Sequence, residues 1–154
     1  MTLPIIEQVK IQAQILVPLV KALQAKLGER RANALVRRAL GDIYRRYGKN
    51  SGGPRARRTL ATSWRLRLQR SGAGRRSIIK CKNNHKMSSR LMSRGCRYAA
   101  FYRELGEPEL GFLLVCSADF LMTEGLDPDI TLTRTQTIRQ GASHCDFRYR
   151  RQRD

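Results

Sequence analysis

The order of periodic patterns along the chain predicts an α+β fold. Apolar residues recur at helical spacing in two N-terminal segments and in two segments after residue 95, and each segment ends at a glycine. Residues 131–138, TLTRTQTI, instead alternate and are rich in threonine, which is typical of a strand. We therefore predict one α+β domain over residues 1–154, with an N-terminal helical pair, a basic irregular middle and C-terminal helices packed on a small antiparallel sheet.

Two helices account for the N-terminal part of the domain, residues 1–48. The first extends to Gly28, and Pro18 is expected to kink or divide it. The second covers about residues 29–47 and ends at Gly48. Apolar stripes of this kind usually pack inward, so both helices are expected to supply core rather than a binding surface.

A basic segment, residues 49–95, separates these helices from the rest of the chain. It contains fourteen Lys and Arg but no Asp or Glu, and it carries most of the net charge of +19. Residues 49–58 have the composition of a loop, and residues 59–70 could form a basic helix. Residues 71–95 show no period and are expected to be loop or disordered.

The C-terminal part, residues 96–154, again has regular patterns. Residues 96–106 and 108–125 each have the spacing of a helix, and the second begins at a proline. The threonine-rich strand follows, and after a turn at residues 140–143 the segment HCDFRYR is expected to form a second strand.

The absence of acidic residues between Asp42 and Glu104 has two explanations. A gap of this length should arise by chance on the order of once in a thousand chains of average composition. The first explanation is a genuine basic segment that contacts nucleic acid non-specifically through residues 55–94, with Trp64 as a stacking residue. No recognised nucleic-acid-binding motif accompanies it. The second is a shift of reading frame over residues 72–95, because codons permitted there also encode an acidic, alternating, strand-like segment in another frame.

Hydropathy and cysteine spacing restrict the class of protein. No apolar run approaches the roughly 18 residues of a membrane span, and no secretory signal pattern opens the chain, so a cytoplasmic protein without membrane contact is expected. The cysteines, Cys81, Cys96, Cys116 and Cys145, include no CxxC pair. That spacing argues against a disulfide framework and a zinc finger.

Cys116 and Asp119 lie three residues apart on the second C-terminal helix, so they are expected to share one face. Phe112 and Phe120 lie near that face. A carboxylate between apolar neighbours would have a raised pKa and could act as a catalytic base. The alternative is a surface aspartate beside a buried cysteine.

His144, Cys145 and Asp146 supply three reactive side-chain types in succession. On a strand, His144 and Asp146 would face one way and Cys145 the other. His144 could serve as a base or a metal ligand, and a Cys145 thiolate could attack an electrophilic carbon. The alternative is a structural histidine beside a small buried thiol.

The threonine-rich strand supplies candidate substrate-binding groups. Arg134 and Gln136 are expected on one face, and Thr135 on the other. Arg134 suits a bidentate contact with a carboxylate, while Thr135, Gln136 and Asp146 would add polar contacts. An exposed arginine on a two-layer sheet is the alternative.

A divalent metal is a further candidate, without a diagnostic spacing to identify it. Cys96, Cys116 and Cys145 could converge on it together with Asp119 or His144. Three soft ligands and one harder ligand would suit zinc.

Three stretches resemble a known family: CRYAAFYRELGEPELG, then CSADF with EGLDPDITLTRTQTI, and then QGASHCDFRYR. Their order and spacing over residues 96–149 are similar to those of the bacterial L-2-amino-thiazoline-4-carboxylic acid hydrolases. The N-terminal helices are compatible with that family, whereas residues 49–95 do not resemble it.

The resemblance implies a small-molecule hydrolase of cysteine metabolism. Water would add to C2 of a cyclic amidine, and the ring sulfur would leave as a thiolate, giving N-carbamoyl-L-cysteine. Asp119, Cys145, His144 and Cys116 are then the candidate catalytic residues, and loss of Asp119 or Cys145 is expected to lower activity far more than loss of Cys81. A family member that binds a small molecule without turnover is the alternative.

Overall fold

The computed structural model describes residues 3–51 and 88–151, and over these ranges it has the α+β architecture that the sequence predicts. No helix in these ranges is long and apolar enough to cross a membrane. The suggested helix at 59–70 and Cys81 lie outside the described residues. In chain order the elements are α1 (Ile5–Leu27), α2 (Glu29–Ser51), β1 (Ser88–Ser93), α3 (Arg97–Glu104), α4 (Pro108–Gly111), a π-helical turn (Phe112–Cys116), α5 (Ala118–Leu126), β2 (Ile130–Thr133), a 3₁₀ turn (Ile138–Gln140) and β3 (Cys145–Arg151).

Helix α1 continues through Pro18, so the predicted division of this helix is wrong. Pro18 is exposed, and water can therefore bond the carbonyl of Gln14 that the proline ring leaves without a helical partner. Gly28 ends the helix as predicted. Its φ of 77° is accessible to glycine, and its N–H donates to the carbonyl of Gln24 at 2.9 Å.

The prediction that α2 ends at Gly48 is wrong, because the helix continues to Ser51. Gly48 instead allows another helix to pack closely against α2. A Cβ atom at Gly48 would overlap the carbonyl oxygen of Met122, and one at Gly125 would overlap the backbone of Arg45. The two glycines thus let the backbones of α2 and α5 touch. Outside the contact, Arg45 Nε pairs with Glu124 across the helices at 3.1 Å.

The sheet is antiparallel, with strand order β1-β3-β2. The β1 register runs from Ser88 opposite Arg150 to Ser93 opposite Cys145, although the sequence predicted loop or disorder there. β1 is an edge strand, so it pairs with one neighbour only. Backbone hydrogen bonds hold it to β3, and these bonds do not require side chains that alternate between apolar and polar.

The described residues form two hydrophobic clusters. The helical core is contributed by α1, α2, α3, α4 and the π-helical turn, and the sheet core by β2, β3 and the end of α5. The helical core contains Ala13, Val17, Val20, Val36, Tyr102, Leu110, Leu113 and Leu114. The sheet core contains Leu126, Ile130, Leu132, Cys145, Phe147 and Tyr149.

Candidate active site

The helix predicted over residues 108–125 contains one π-helical turn, at which the N–H of Ser117 donates to Phe112 O at 3.0 Å. Such a turn widens the helix and frees carbonyl oxygens, and it occurs often at functional sites. Side chains bind three of these oxygens: Leu113 O accepts from Ser117 Oγ, Leu114 O from Tyr44 Oη at 2.7 Å, and Cys116 O from Arg134 Nη2 at 2.8 Å.

Arg134 links this turn to Asp119 and to the sheet core. Its Nη1 lies 2.8 Å from Asp119 Oδ2, and its side chain is 2% exposed. The guanidinium carbon lies 5.0 Å from the ring centroid of Phe120 and 5.1 Å from that of Phe147, distances typical of cation–π contacts. Arg134 is therefore fixed on several sides by groups of the protein itself.

Asp119 lies in the first turn of α5, where a negative charge interacts favourably with the helix dipole. The contact with Arg134 also favours the ionised form of its carboxylate. One third of the Asp119 side chain (33%) remains exposed, so solvent reaches it. The structure thus brings together a charged, oriented carboxylate, its guanidinium partner and the backbone of Cys116.

Both buried thiols beside this pair are protonated at neutral pH. Burial raises the pKa of Cys116 to about 12; Arg139 and Arg134 lower it, and Asp119 raises it further. Burial also raises the pKa of Cys145, although the N–H of Ile138 donates to its sulfur at 3.3 Å and opposes the shift. Thiols in this state are weak nucleophiles.

Within the described parts of the chain, Cys96, Cys116 and Cys145 do not converge as metal ligands. Over residues 3–51 and 88–151, no group of three or more His, Cys, Asp or Glu is arranged to hold a metal ion. Cys96, Cys116 and Cys145 are free thiols. The sulfur of Cys96 instead caps α3 by accepting the N–H of Ala99 at 3.3 Å.

Asp146 binds the loop that follows β2. It accepts the N–H groups of Thr135 and Gln136, each at 2.9 Å, and the hydroxyl of Thr135 at 2.8 Å. Burial by itself raises the pKa of Asp146, but these hydrogen bonds and the charge of Arg148 bring it below its usual value. The side chain of Asp146 thus accepts two N–H groups that would bond to a neighbouring strand if β2 were longer. The strand predicted over 131–138 therefore ends at Thr133.

His144 belongs to the same outer group. Its ring nitrogens lie 2.6 and 3.1 Å from Gln136 Nε2, and it precedes β3 rather than lying in it. Along β3 Cys145 is buried in the sheet core, whereas Asp146 lies on the opposite face, as alternation predicts. The predicted site residues therefore divide into an inner cluster with Cys116, Asp119, Arg134 and Cys145, and an outer cluster with Thr135, Gln136, His144 and Asp146.

Arg139 is a buried residue of the inner region that the sequence did not single out. It is 9% exposed, and none of its guanidinium nitrogens has a hydrogen-bond partner among the described residues. Its guanidinium carbon lies 4.8 Å from the ring centroid of Tyr102, and a Cβ atom at Gly111 would overlap it. Neither its residue type nor its place in a periodic pattern distinguishes Arg139 from the other arginines and lysines of the chain.

Residues of α2 and α5, together with Ser117, line a groove of about 660 Å³. Ser117 and Phe120, which flank Asp119 along the chain, contribute to its wall. Cations on α2 give the groove a positive potential that attracts anions. Its lining residues are Arg37, Arg38, Gly41, Asp42, Arg45, Ser117, Phe120 and Leu121.

The fold and the inner cluster define a small α+β protein with a charged, mostly buried polar site between a helical core and a sheet core. The chain belongs to the L-2-amino-thiazoline-4-carboxylic acid hydrolase family, whose sequence model matches residues 8–149. That match is wider than the resemblance over 96–149 and begins within α1. Comparison with curated proteins and with solved structures gave no significant match.

Proposed function

We propose that the protein hydrolyses a cyclic amidine, L-2-amino-thiazoline-4-carboxylate or a close relative, to N-carbamoyl-L-cysteine. The family match over residues 8–149 carries this proposal. The inner cluster supports it, because hydrolysis of an amidine needs a base for water and fixed charges near the reacting carbon.

In this proposal Asp119 takes a proton from water as the water oxygen bonds to C2 of the ring. The electron pair of the C=N bond moves to the ring nitrogen, and the C2–S bond of the tetrahedral adduct then breaks. The hydroxyl proton passes to the ring nitrogen as the carbonyl forms, and the departing sulfur receives the proton that Asp119 holds, so the products are a carbamoyl group and a free thiol. Arg134 acts by holding Asp119 in its ionised form and in one orientation.

Direct attack by Cys145 is the competing route. It requires a thiolate, whereas burial raises the pKa of Cys145 and keeps the thiol neutral at neutral pH. Activation of water by Asp119 is therefore the route that the electrostatics of the inner cluster favour. His144 belongs to the outer cluster, and a catalytic role for it stays a prediction of the sequence.

Incubation of the purified protein with the cyclic amidine tests the proposal. We expect the carbamoyl product by mass spectrometry and one new thiol per product, measured against the background of the protein's own cysteines. A folded preparation that releases no product across neutral pH would refute the enzymatic function. The same experiment with added metal chelator tests the divalent metal that the sequence suggested.

Two other functions make different predictions. An inactive family member would bind the cyclic amidine, with a calorimetric signal but no product. A nucleic-acid-binding protein would retain affinity for RNA or DNA at physiological salt with sequence preference. Contacts through the basic residues 55–94 alone would instead weaken steeply with salt, because they depend on counterion release.

A further inference from the structure

The charges around the inner cluster do not balance. Arg134 is paired with Asp119, whereas Arg139 is 9% exposed and all three of its nitrogens lack a hydrogen-bond partner within residues 3–51 and 88–151. An isolated charge in a protein interior loses its hydration without compensation and is strongly destabilising. Something of opposite charge is therefore needed beside Arg139.

Few groups of the described residues could supply a negative charge beside Arg139. No carboxylate of the described residues forms a hydrogen bond with the guanidinium of Arg139, and residues 52–87 contain neither Asp nor Glu. The thiol of Cys116 lies within reach of the charge of Arg139, but its pKa is about 12, so it stays neutral. Because no carboxylate within residues 3–51 and 88–151 supplies the balancing negative charge, a bound anion is the source that we consider.

The surroundings of Arg139 hold its guanidinium plane in a defined place. The ring of Tyr102 covers it at 4.8 Å, and the missing side chain of Gly111 leaves it room. The residue belongs to a short turn that Thr137 caps, with Thr137 Oγ1 accepting the N–H of Gln140 at 3.3 Å. A fixed planar guanidinium with unused donors is suited to a two-point contact with a planar carboxylate.

We propose that Arg139 is the residue that binds the carboxylate of the substrate, so that the ligand completes the charge balance of the inner cluster. The identity of the carboxylate rests on the proposed function, while the requirement for an anion rests on Arg139 alone. Arg134, which the sequence favoured for this contact, serves to orient Asp119 instead.

Arg134 and Arg139 provide a matched pair of variants. Arg139→Met removes an unpaired buried charge and keeps a long apolar side chain, so the ligand-free protein should unfold at the same temperature as the wild type or higher. Arg134→Met removes the guanidinium that pairs with Asp119 and binds the carbonyl of Cys116, so it should unfold at a lower temperature. Equal destabilisation by both substitutions would show that Arg139 is a structural residue and overturn the proposal.

Ligand binding supplies the second measurement. N-carbamoyl-L-cysteine and N-carbamoyl-cysteamine differ by the carboxylate alone, and neither contains the cyclic amidine that the proposed reaction opens. The wild type should bind the carboxylate compound about tenfold to a hundredfold more tightly, as expected for loss of a charge-assisted contact. Arg139→Met should lose this preference, and Arg139→Lys should keep part of it.

The outcomes separate this inference from the proposed function. A wild type that binds both compounds equally, or an Arg139→Met variant that keeps the preference, would overturn the inference even if the enzyme is active. Carboxylate binding that depends on Arg139 in a protein without turnover would support the inference and refute the hydrolase function.

Discussion

Asp119 combines two properties that a base acting on water needs, since Arg134 holds it at 2.8 Å and a third of its side chain stays exposed. Asp119→Asn keeps the size of the side chain but cannot accept the proton. We therefore expect kcat to fall about a hundredfold or more, with an unchanged fold. Initial rates of product formation measure the loss, and circular dichroism checks the fold.

The pH profile distinguishes this base from a nucleophilic Cys145. With Asp119 as base, the rate should fall at acid pH as the carboxylate is protonated, and reach a plateau at neutral pH. With Cys145 as nucleophile, the rate should continue to rise into the alkaline range, since burial raises the pKa of the thiol. Cys81→Ser is the control for thiol background and should behave as the wild type in either case.

Cys116 and Tyr102 should make the folded state sensitive to alkaline pH. Burial raises the pKa of both to about 12, from 9.0 for the thiol and 10.0 for the phenol. The folded state thus keeps its protons longer than the unfolded state. The associated stability is fully present below about pH 9 and is lost as the pH rises from about 9 to about 12.

Denaturant titrations between pH 7 and 11 measure this dependence. The free energy of unfolding should fall above about pH 9, and Cys116→Ala should reduce the slope as well as lower the stability throughout. Tyr102→Phe should reduce the slope only above about pH 10. If both variants kept the wild-type slope, the thiol and the phenol would not be titrating as their burial implies.

At the level of single residues, the sequence shows the chemical type of each side chain but not the group with which it pairs. Cys116 and Asp119 were identified as candidates because they share a helix face, and Arg134 because a guanidinium on the threonine-rich strand suits a carboxylate contact. Their pairing was not predictable, since Arg134 lies fifteen residues from Asp119 in the sequence. Arg139 was missed because its distinguishing property is the lack of a partner, which only a folded structure reveals.

Among the elements, the contact between α2 and α5 depends on glycines. Gly48→Ala would gain about 1 kcal/mol in helix propensity but place a methyl group against the backbone of Met122. Moving two packed helices apart costs more than that gain, and we expect a net loss of about 1–3 kcal/mol. Chemical denaturation measures it. Gly95→Ala, where no atom lies within 4 Å of the new Cβ, is the matched control and should change little.

Periodicity predicted which elements exist better than where they end. The helix over 108–125 was predicted, but its π-helical turn at Phe112–Cys116 was not, because one widened turn hardly alters an apolar stripe. Periodicity also predicted that α2 ends at Gly48, because a glycine that ends a helix cannot be told from one that allows close packing by sequence alone. Both features depend on contacts with distant residues.

On the scale of the whole molecule, two arginines connect the two cores. Arg134 contacts Phe147 of the sheet core and the carbonyl of Cys116 in the π-helical turn, which contributes to the helical core. Arg139 follows Ile138 at the sheet core and covers Tyr102 of the helical core. The candidate site therefore lies where the cores meet. This position couples any anion bound at Arg139 to the packing of helices against sheet, so ligand should stabilise the protein as a whole.

The basic segment, residues 49–95, is the most unusual feature of the chain, and strand β1 lies within it. In the register of the sheet, the backbone of Arg90 pairs with that of Arg148. Codons permitted for residues 82–94 read, in another frame, Glu-Gln-Pro-Gln-Asp-Val-Phe-Thr-Phe-Asp-Val-Thr. That reading contains no basic residue and alternates as a strand should, while the backbone pairing with β3 is available to either reading.

The hypothesis of a frame shift over residues 72–95 therefore predicts what the gene contains. Its nucleotide sequence should encode this acidic strand in the shifted frame, with compensating shifts near residues 72–76 and 95–96. A chain with the restored frame should unfold at a higher temperature than the present one, because it removes much of the unbalanced positive charge. Stop codons or unrelated residues in the other frames would refute the hypothesis, and the basic segment would then be a genuine part of the protein.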